Sequence, residues 1–204
     1  MNNSRINKSQ VVIATGNMGK LHELNVLLDG LGFEFAPQSE FGISPADETG
    51  TTFVENALQK ARHAAALSRR PAIADDSGIV VDALDGRPGI YSARYAGSGA
   101  SDEDNVDKLL SELQGIENRS AYFHCAAVFI RSADDPEPLV AEASWHGRIS
   151  ESRSGKGGFG YDPVFFVPEC GCTSAELSAE RKNGLSHRGL AFKSLAALLE
   201  SATL

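Results

Sequence analysis

Two adjacent carboxylates, Asp75 and Asp76, are the residues of this sequence whose type and setting most suggest catalysis. Apolar runs on both sides predict that the pair lies in a turn at the edge of a buried sheet. Neighbouring residues on a strand point to opposite faces, so one carboxylate can face a cleft while the other supports it or approaches the cleft by a bend. Carboxylate and phosphate oxygens bind Mg²⁺, and Glu48 and Glu55 are candidates for further contributors. The alternative is a solvated acidic turn.

A glycine-containing segment near the N-terminus has the features of a phosphate-binding loop. It reads Thr15-Gly16-Asn17-Met18-Gly19-Lys20 and separates a β-branched run from leucines at helical spacing. Such a turn directs backbone N–H groups and a helix N-terminus towards one point, where phosphate is stabilised, and Lys20 adds a positive charge. The spacing is not that of a Walker A motif, and the alternative is an ordinary turn with a surface lysine.

A polar stripe marks one face of a predicted helix. Asn56, Lys60 and His63 share this face, because they are separated by four and three residues. Lys60 could contact a phosphate group there. The alternative is that the stripe is only the solvated side of the helix.

Two later segments could bind a flat ring and its polar edge. In residues 157–163, Phe159 and Tyr161 suit stacking, and Asp162 could accept a hydrogen bond from a base N–H. In residues 182–188, positive and polar groups gather near the start of a helix, where they could bind phosphate or a carbonyl oxygen. The alternatives are a turn with two core aromatics and a solvated helix cap.

The elements that must position these residues follow from capping signals and hydrophobic spacing. Predicted strands cover residues 11–14, 72–74, 79–81, 121–131 and 139–149. Predicted helices cover residues 20–28, 53–67, 101–113, 174–181 and 187–199, and residues 86–99 and 150–160 are predicted loops. Strands and helices mix without strict βαβ alternation, which predicts an α/β fold with a mixed sheet.

Composition limits the classes of function. The chain has 204 residues, with 19 basic and 27 acidic side chains, and its net charge of −8 argues against binding to a nucleic-acid backbone. No apolar stretch is long enough to span a membrane, and the polar N-terminus lacks the core of a signal peptide, which predicts a cytoplasmic protein. Three cysteines do not make a disulfide framework or a zinc site. We expect a flexible N-terminal tail, residues 1–10, and one domain, residues 11–204.

Six motifs follow one another in the order of a known family. They are Thr15-Gly16-Asn17-x-x-Lys20, Glu48-Thr49-Gly50-x-Thr52-Phe53-x-Glu55-Asn56-Ala57, Ala74-Asp75-Asp76-Ser77-Gly78, Pro88-Gly89-Ile90-Tyr91-Ser92-Ala93-Arg94-Tyr95, Gly158-Phe159-Gly160-Tyr161-Asp162-Pro163 and Ser186-His187-Arg188. With these motifs the chain resembles the inosine triphosphate pyrophosphatase family of XTP/dITP diphosphatases, over residues 11 to about 200.

The resemblance implies a fold, a reaction and a cofactor. The fold would be a long, twisted mixed sheet with flanking helices, forming two lobes around a substrate cleft, and the protein would act as a homodimer. The reaction would be Mg²⁺-dependent hydrolysis of ITP, dITP and XTP to the nucleoside monophosphate and pyrophosphate. Such an activity keeps deaminated purines out of DNA and RNA.

The resemblance also implies roles for individual residues. The catalytic group would be Asp76, Asp75 and Lys60, with Asp76 as the base that deprotonates water and Asp75 as the alternative base. Glu48 and Asp76 would bind the metal. Thr15, Asn17 and Lys20 would hold the triphosphate, and Lys60 and Lys182 would contact phosphate. The other substrate-binding residues would be Ser77 and, in the loop, Gly16, Met18 and Gly19. The purine would stack on Phe159, beside Gly160 and Tyr161, and Asp162, His187 and Arg188 would contact its edge.

Two other classes of function use the same residues. A nucleotide-binding module without catalysis could use the same cleft, although it would have no need for the complete set of carboxylates. A nucleic-acid hydrolase with a related metal site is disfavoured by the net charge of −8.

Overall fold

A mixed sheet forms the centre of the protein in the computed structural model, which describes residues 10–30 and 32–202. Its strands are β1 (Gln10–Ile13), β2 (Glu34–Pro37), β3 (Ala72–Val81), β4 (Ser120–Ile130), β5 (Leu139–Ile149), β6 (Phe165–Val167) and β7 (Cys172–Thr173). The order is β2-β1-β3-β4-β5-β6-β7. The first three strands are parallel, and the remaining pairs are antiparallel. The predicted α/β class with a mixed sheet is confirmed.

Five α-helices flank this sheet within the described residues. They are α1 (Met18–Leu27), α2 (Phe53–Ser68), α3 (Asp102–Glu112), α4 (Ala179–Leu185) and α5 (His187–Ser201). The capping boxes predicted at the starts of α2 and α3 are both present, with Thr52 paired to Glu55 and Ser101 paired to Asp104. Within the described residues, every helix is too short or too polar to span a bilayer.

The structure corrects the predicted turn at residues 75–78. These residues belong to β3, which runs unbroken because all ten of its residues pair with β4, from Ala72 opposite Ile130 to Val81 opposite Ala121. The ladder supplies the backbone hydrogen bonds that a turn would otherwise need. The acidic pair therefore lies in the middle of a central strand, and the expected alternation of faces still applies.

Other predicted boundaries also change. The tail predicted for residues 1–10 falls outside the described residues except at Gln10, which begins β1. The predicted loop at residues 86–99 contains a short 3₁₀ helix, Gly89–Arg94. The predicted helix at residues 174–181 is split into the 3₁₀ helix Ser174–Glu176 and α4, because Ser178 is extended and caps α4. The short strands β2, β6 and β7 were not predicted.

Three hydrophobic clusters divide the core. Two of them cover opposite faces of one half of the sheet, packed by α1 and α5 on one face and by α2 on the other. The third covers the other half and includes Ile79, Val106 and Trp145. The long strands β3, β4 and β5 contribute residues to both halves, and residues 75–78 lie between the two contributions of β3. Core residues of β3 therefore flank the acidic pair on both sides along the strand.

Gly78 allows another segment to approach β3 closely. A Cβ atom at this position would lie 2.2 Å from the carbonyl oxygen of Gly89 and 2.5 Å from Oγ of Ser92. We expect Gly78→Ala to lower the free energy of unfolding by about 1–3 kcal/mol in urea titrations, because backbone has to shift. Gly184→Ala in α4 is the control, since a Cβ there meets nothing within 4 Å. Equal stability of the two variants would contradict this account.

Candidate active site

The loop between β1 and α1 is organised by its own side chains. Oγ1 of Thr15 accepts from N–H of Asn17 at 3.1 Å, and Oδ1 of Asn17 accepts from N–H of Lys20 at 3.0 Å. Asn17 is thereby the N-cap of α1. At Gly19, a Cβ atom would lie 2.8 Å from the ring of Phe159, so glycine permits this contact. The Met18 side chain is largely exposed.

Asp75 faces α1 and α5. Its Oδ2 atom lies 3.1 Å from Nζ of Lys20 and 3.3 Å from Nε of Arg188, and it accepts from Oγ of Ser77 at 3.2 Å. Burial alone would raise the pKa of Asp75, but Lys20 and Arg188 hold it well below its usual range. Oδ1 is buried and has no hydrogen-bond donor among the described residues.

Asp76 faces α2, on the opposite side of the sheet. Its Oδ1 accepts from Nζ of Lys60 at 2.7 Å, and its Oδ2 accepts from Nδ2 of Asn56 at 3.3 Å. Burial raises the pKa of Asp76, and the nearby ammonium groups of Lys60 and Lys20 offset only part of that rise. The two neighbouring carboxylates therefore differ in chemistry: Asp75 is a fixed anion, and Asp76 has the greater proton affinity.

Glu48 completes the acidic group. Its Oε1 accepts from Lys60 and its Oε2 from Nη1 of Arg94, both at 2.9 Å. Burial raises its pKa, but these two cations bring it below its usual value. Glu55, the other candidate ligand, does not join this group, because its carboxylate accepts from Thr51 and caps α2.

The acidic group fits a divalent cation. Glu48 and Asp76 converge on one positive charge, the Lys60 ammonium, at 2.9 and 2.7 Å. Mg²⁺ commonly takes one or two protein carboxylates, with the remaining ligands from phosphate and water. No cluster of three or more His, Cys, Asp or Glu ligands occurs in the part of the chain that the structure describes.

Phe159 forms the aromatic end of the site. The side chains of Lys182 and Arg188 lie over its ring, 5.0 and 5.6 Å from the centroid. Asp162 supports the segment from below: its Oδ2 accepts from N–H of Phe159 at 2.9 Å and from Lys182 at 2.7 Å, and Oδ1 accepts from Ser174 at 2.8 Å. Asp162 is 2% exposed, so its carboxylate is already fully engaged.

Glu23 links the two cations above this ring. Its carboxylate lies 2.8 Å from Nζ of Lys182 and 2.6 Å from Nη1 of Arg188. Lys182, expected among the phosphate contacts, therefore lies with Phe159 and Asp162, whereas Lys60 lies with Glu48 and Asp76.

Two other residues at the aromatic end are buried. Tyr161 is 5% exposed and donates its hydroxyl to the carbonyl of Ser92 at 2.8 Å, so its ring is anchored in the core, whereas the Phe159 ring is partly exposed. The ring of His187 stacks on Phe123 at 4.7 Å. Burial and the nearby Arg188 guanidinium lower the pKa of His187 well below its usual value, so the imidazole is neutral.

The acidic and aromatic ends of the site lie in two adjacent cavities, which together are called the cleft. One cavity is lined by Glu48, Lys60 and Asp76, and a neighbouring cavity by Phe159, Lys182 and Arg188. Four residues line both cavities: Asn17, Lys20, Ser77 and Ala93. Gly16 lines the first cavity, and Gly160 lines the second.

Three residues of the site have roles in the structure that the sequence patterns do not assign. Asn56 was seen only as part of a polar stripe, yet it is fully buried and holds Asp76. Arg94 lies inside a quoted motif without an assigned role. Glu23 is three residues after Lys20 on α1, a spacing that places both on one helix face and could have identified it.

Comparisons with known proteins identify relatives that match nearly the whole chain. Two bacterial relatives are each named dITP/XTP pyrophosphatase: one from Pectobacterium atrosepticum is 55% identical over 195 residues, covering 95% of this chain and 99% of the relative. The other, from Vibrio parahaemolyticus, is 56% identical over 196 residues, covering 95% and 98%.

Solved structures give the same result. A HAM1 protein from Coxiella burnetii has a TM-score of 0.88 and 45% identity, covering 95% of this chain and 99% of that one. The Staphylococcus aureus Ham1 protein has a TM-score of 0.85 and 41% identity, covering 95% and 100%. The model of the Ham1 family matches residues 11–198. The resemblance found in the motifs is thus confirmed, and the chain belongs to the Ham1 family.

Proposed function

We propose that this protein hydrolyses non-standard purine nucleoside triphosphates, namely ITP, dITP and XTP, to the nucleoside monophosphate and pyrophosphate. The observation that carries the proposal is the adjacency of two cavities, one at the carboxylate–lysine end and one at the aromatic end, which share Asn17, Lys20, Ser77 and Ala93. A triphosphate and a purine ring require these two kinds of surface side by side. The names of the bacterial relatives support the same activity.

Glu48 and Asp76 are the residues we propose to hold Mg²⁺, since both already accept from a single cation. The bound ion would neutralise charge on the phosphate oxygens and favour departure of pyrophosphate. Lys20, Lys60 and the N-terminus of α1 add positive potential for the triphosphate, in the loop that Thr15 and Asn17 keep in shape. Little covalent work is required of the protein.

Asp76 is the residue we propose as general base. It accepts a proton from a water molecule as the water oxygen forms a bond to the α-phosphorus. The bond between that phosphorus and the bridging oxygen breaks, and its electron pair leaves with pyrophosphate. Its position supports this role, because Asp76 lines the same cavity as Glu48 and Lys60, whereas Asp75 is bound to Lys20 and Arg188.

The aromatic end of the site offers hydrogen-bond donors to a purine ring. The buried carboxylate of Asp162 is engaged by Ser174, Phe159 and Lys182, while the cationic groups of Lys182 and Arg188 remain beside the ring. A 6-keto oxygen can accept from such groups. The 6-amino group of adenine would present N–H donors to these cationic donors instead, a mismatch that is costly away from water.

Further properties follow from the resemblance and from the substrate. We propose that the protein works as a homodimer, that residues 11–204 form its catalytic domain, and that it acts in the cytoplasm, where nucleoside triphosphates are found. The net charge of −8 supports free nucleotides, rather than nucleic acids, as substrates.

A product-identified substrate panel tests the proposal. We expect ITP, dITP and XTP to give pyrophosphate in the presence of Mg²⁺, detected by ³¹P NMR, and ATP and GTP to react far more slowly. Removing the metal with EDTA should stop the reaction, and added Mg²⁺ should restore it. Release of orthophosphate, equal use of ATP, or tight ITP binding without turnover would overturn the proposal.

A further inference from the structure

Glu48 lies on a segment without regular secondary structure. Residues 43–50 form neither helix nor strand, and backbone N–H groups of Thr49 and Gly50 are held by Gln59 and Asn56 of α2. These bonds fix the backbone after Glu48 and not its carboxylate. The position of the carboxylate therefore depends on its side-chain partners.

Each carboxylate oxygen of Glu48 has its own cationic partner. Lys60 donates to Oε1 and also to Asp76, so it occupies the position where both carboxylates meet a cation. Arg94 donates to Oε2, on the other side of the carboxylate. A divalent ion held by Glu48 and Asp76 would compete with Lys60 for Oε1, whereas the contact of Arg94 with Oε2 can remain.

Contacts within its own 3₁₀ helix and with β3 hold Arg94 in place beside Glu48. It ends the 3₁₀ helix Gly89–Arg94, and its guanidinium lies over the ring of Tyr91, 5.2 Å from the centroid. The helix is fastened to β3 through Ser92, whose Oγ donates to Gly89 at 2.6 Å and accepts from N–H of Ile79 at 2.9 Å. Arg94 thus connects the irregular segment to the same strand that bears Asp76.

We propose that Arg94 is a positioning residue that holds the Glu48 carboxylate ready for the divalent metal ion. This inference rests on the proposed metal-dependent activity. Arg94 acts through Glu48 and needs no contact with the substrate. Partners of metal ligands that orient them in this way commonly change metal affinity by about 10- to 100-fold when they are lost.

Arg94→Ala and Arg94→Lys test the inference by two readouts. The first is Mn²⁺ binding to the nucleotide-free protein, measured by electron paramagnetic resonance of the free ion. The second is the Mg²⁺ dependence of pyrophosphate release from dITP. We expect Arg94→Ala to weaken Mn²⁺ binding and to raise the half-saturating Mg²⁺ concentration by about 10- to 100-fold, with kcat and the KM for dITP little changed at saturating Mg²⁺. Arg94→Lys should recover part of the loss, because it retains one donor and the charge.

Arg87→Ala is the matched control. Arg87 also donates to a glutamate at 2.8 Å, but its partner Glu112 is not a residue of the cleft. Circular dichroism confirms folding of each variant. A raised KM for dITP with unchanged metal dependence would overturn the inference and make Arg94 a substrate ligand. Unchanged metal dependence in both readouts, or no Mn²⁺ binding by the wild-type protein at millimolar concentration, would also overturn it. Wild-type Mn²⁺ binding that Arg94→Ala weakens, without any hydrolysis of dITP, would contradict the proposed function alone.

Discussion

Asp76→Asn is expected to lower kcat for dITP hydrolysis by more than about 100-fold at saturating Mg²⁺, the lower end of what loss of a general base costs. An amide has nearly the shape of the carboxylate but does not take a proton from water, and it is a poorer metal ligand. The measurement is steady-state pyrophosphate release, with circular dichroism to establish that the variant folds.

The neighbours of Asp76 keep other hydrogen bonds when its carboxylate is replaced by an amide. Lys60 retains its contact with Glu48, and Asn56 retains its bond to N–H of Gly50, so the neighbours of the changed group stay in place. Asp134→Asn, in the exposed turn between β4 and β5, is the matched control and should behave as wild type. Near-wild-type turnover in folded Asp76→Asn would refute its assignment as the base.

Arg188→Met is expected to lower the free energy of unfolding by about 3–5 kcal/mol, the usual cost of removing one partner from a buried ion pair. Arg188 is 3% exposed and lies 3.3 Å from Asp75 and 2.6 Å from Glu23. Its removal leaves the buried carboxylate of Asp75 and the partly buried carboxylate of Glu23 with less compensating positive charge. Urea unfolding can be followed by the fluorescence of the only tryptophan, Trp145, which lies in the core.

Two variants control for this result. Arg153→Met removes an exposed partner of Asp107 and should cost at most about 1 kcal/mol. The double variant Asp75→Asn with Arg188→Met should recover part of the lost stability, because one of the uncompensated carboxylates is gone. A single Arg188 variant as stable as the Arg153 variant would show that the buried network contributes little.

Local signals in the sequence predicted most of the helices and the long strands. Thr52 with Glu55 and Ser101 with Asp104 gave two helix starts, because capping boxes depend only on residues three apart. The alternation of a strand also predicted that Asp75 and Asp76 lie on different faces, where Lys20 and Arg188 meet one and Lys60 the other.

Long-range contacts explain what was not predicted. β3 continues through its acidic residues because β4, some 50 positions later, pairs with all of it, and no local pattern records that pairing. The sequence suggests Glu55 as a metal ligand, but its carboxylate accepts a hydrogen bond from the backbone N–H of Thr52 and caps α2. The link from Glu23 to Arg188 joins residues 165 positions apart, so only the fold reveals it.

Hydrolysis of dITP in ¹⁸O-labelled water tests the central claim most directly, because the label reports which phosphorus the water attacks. We predict that mass spectrometry finds the label in deoxyinosine monophosphate and none in pyrophosphate, as attack on the α-phosphorus requires. Label in pyrophosphate, or in released orthophosphate, would contradict the account.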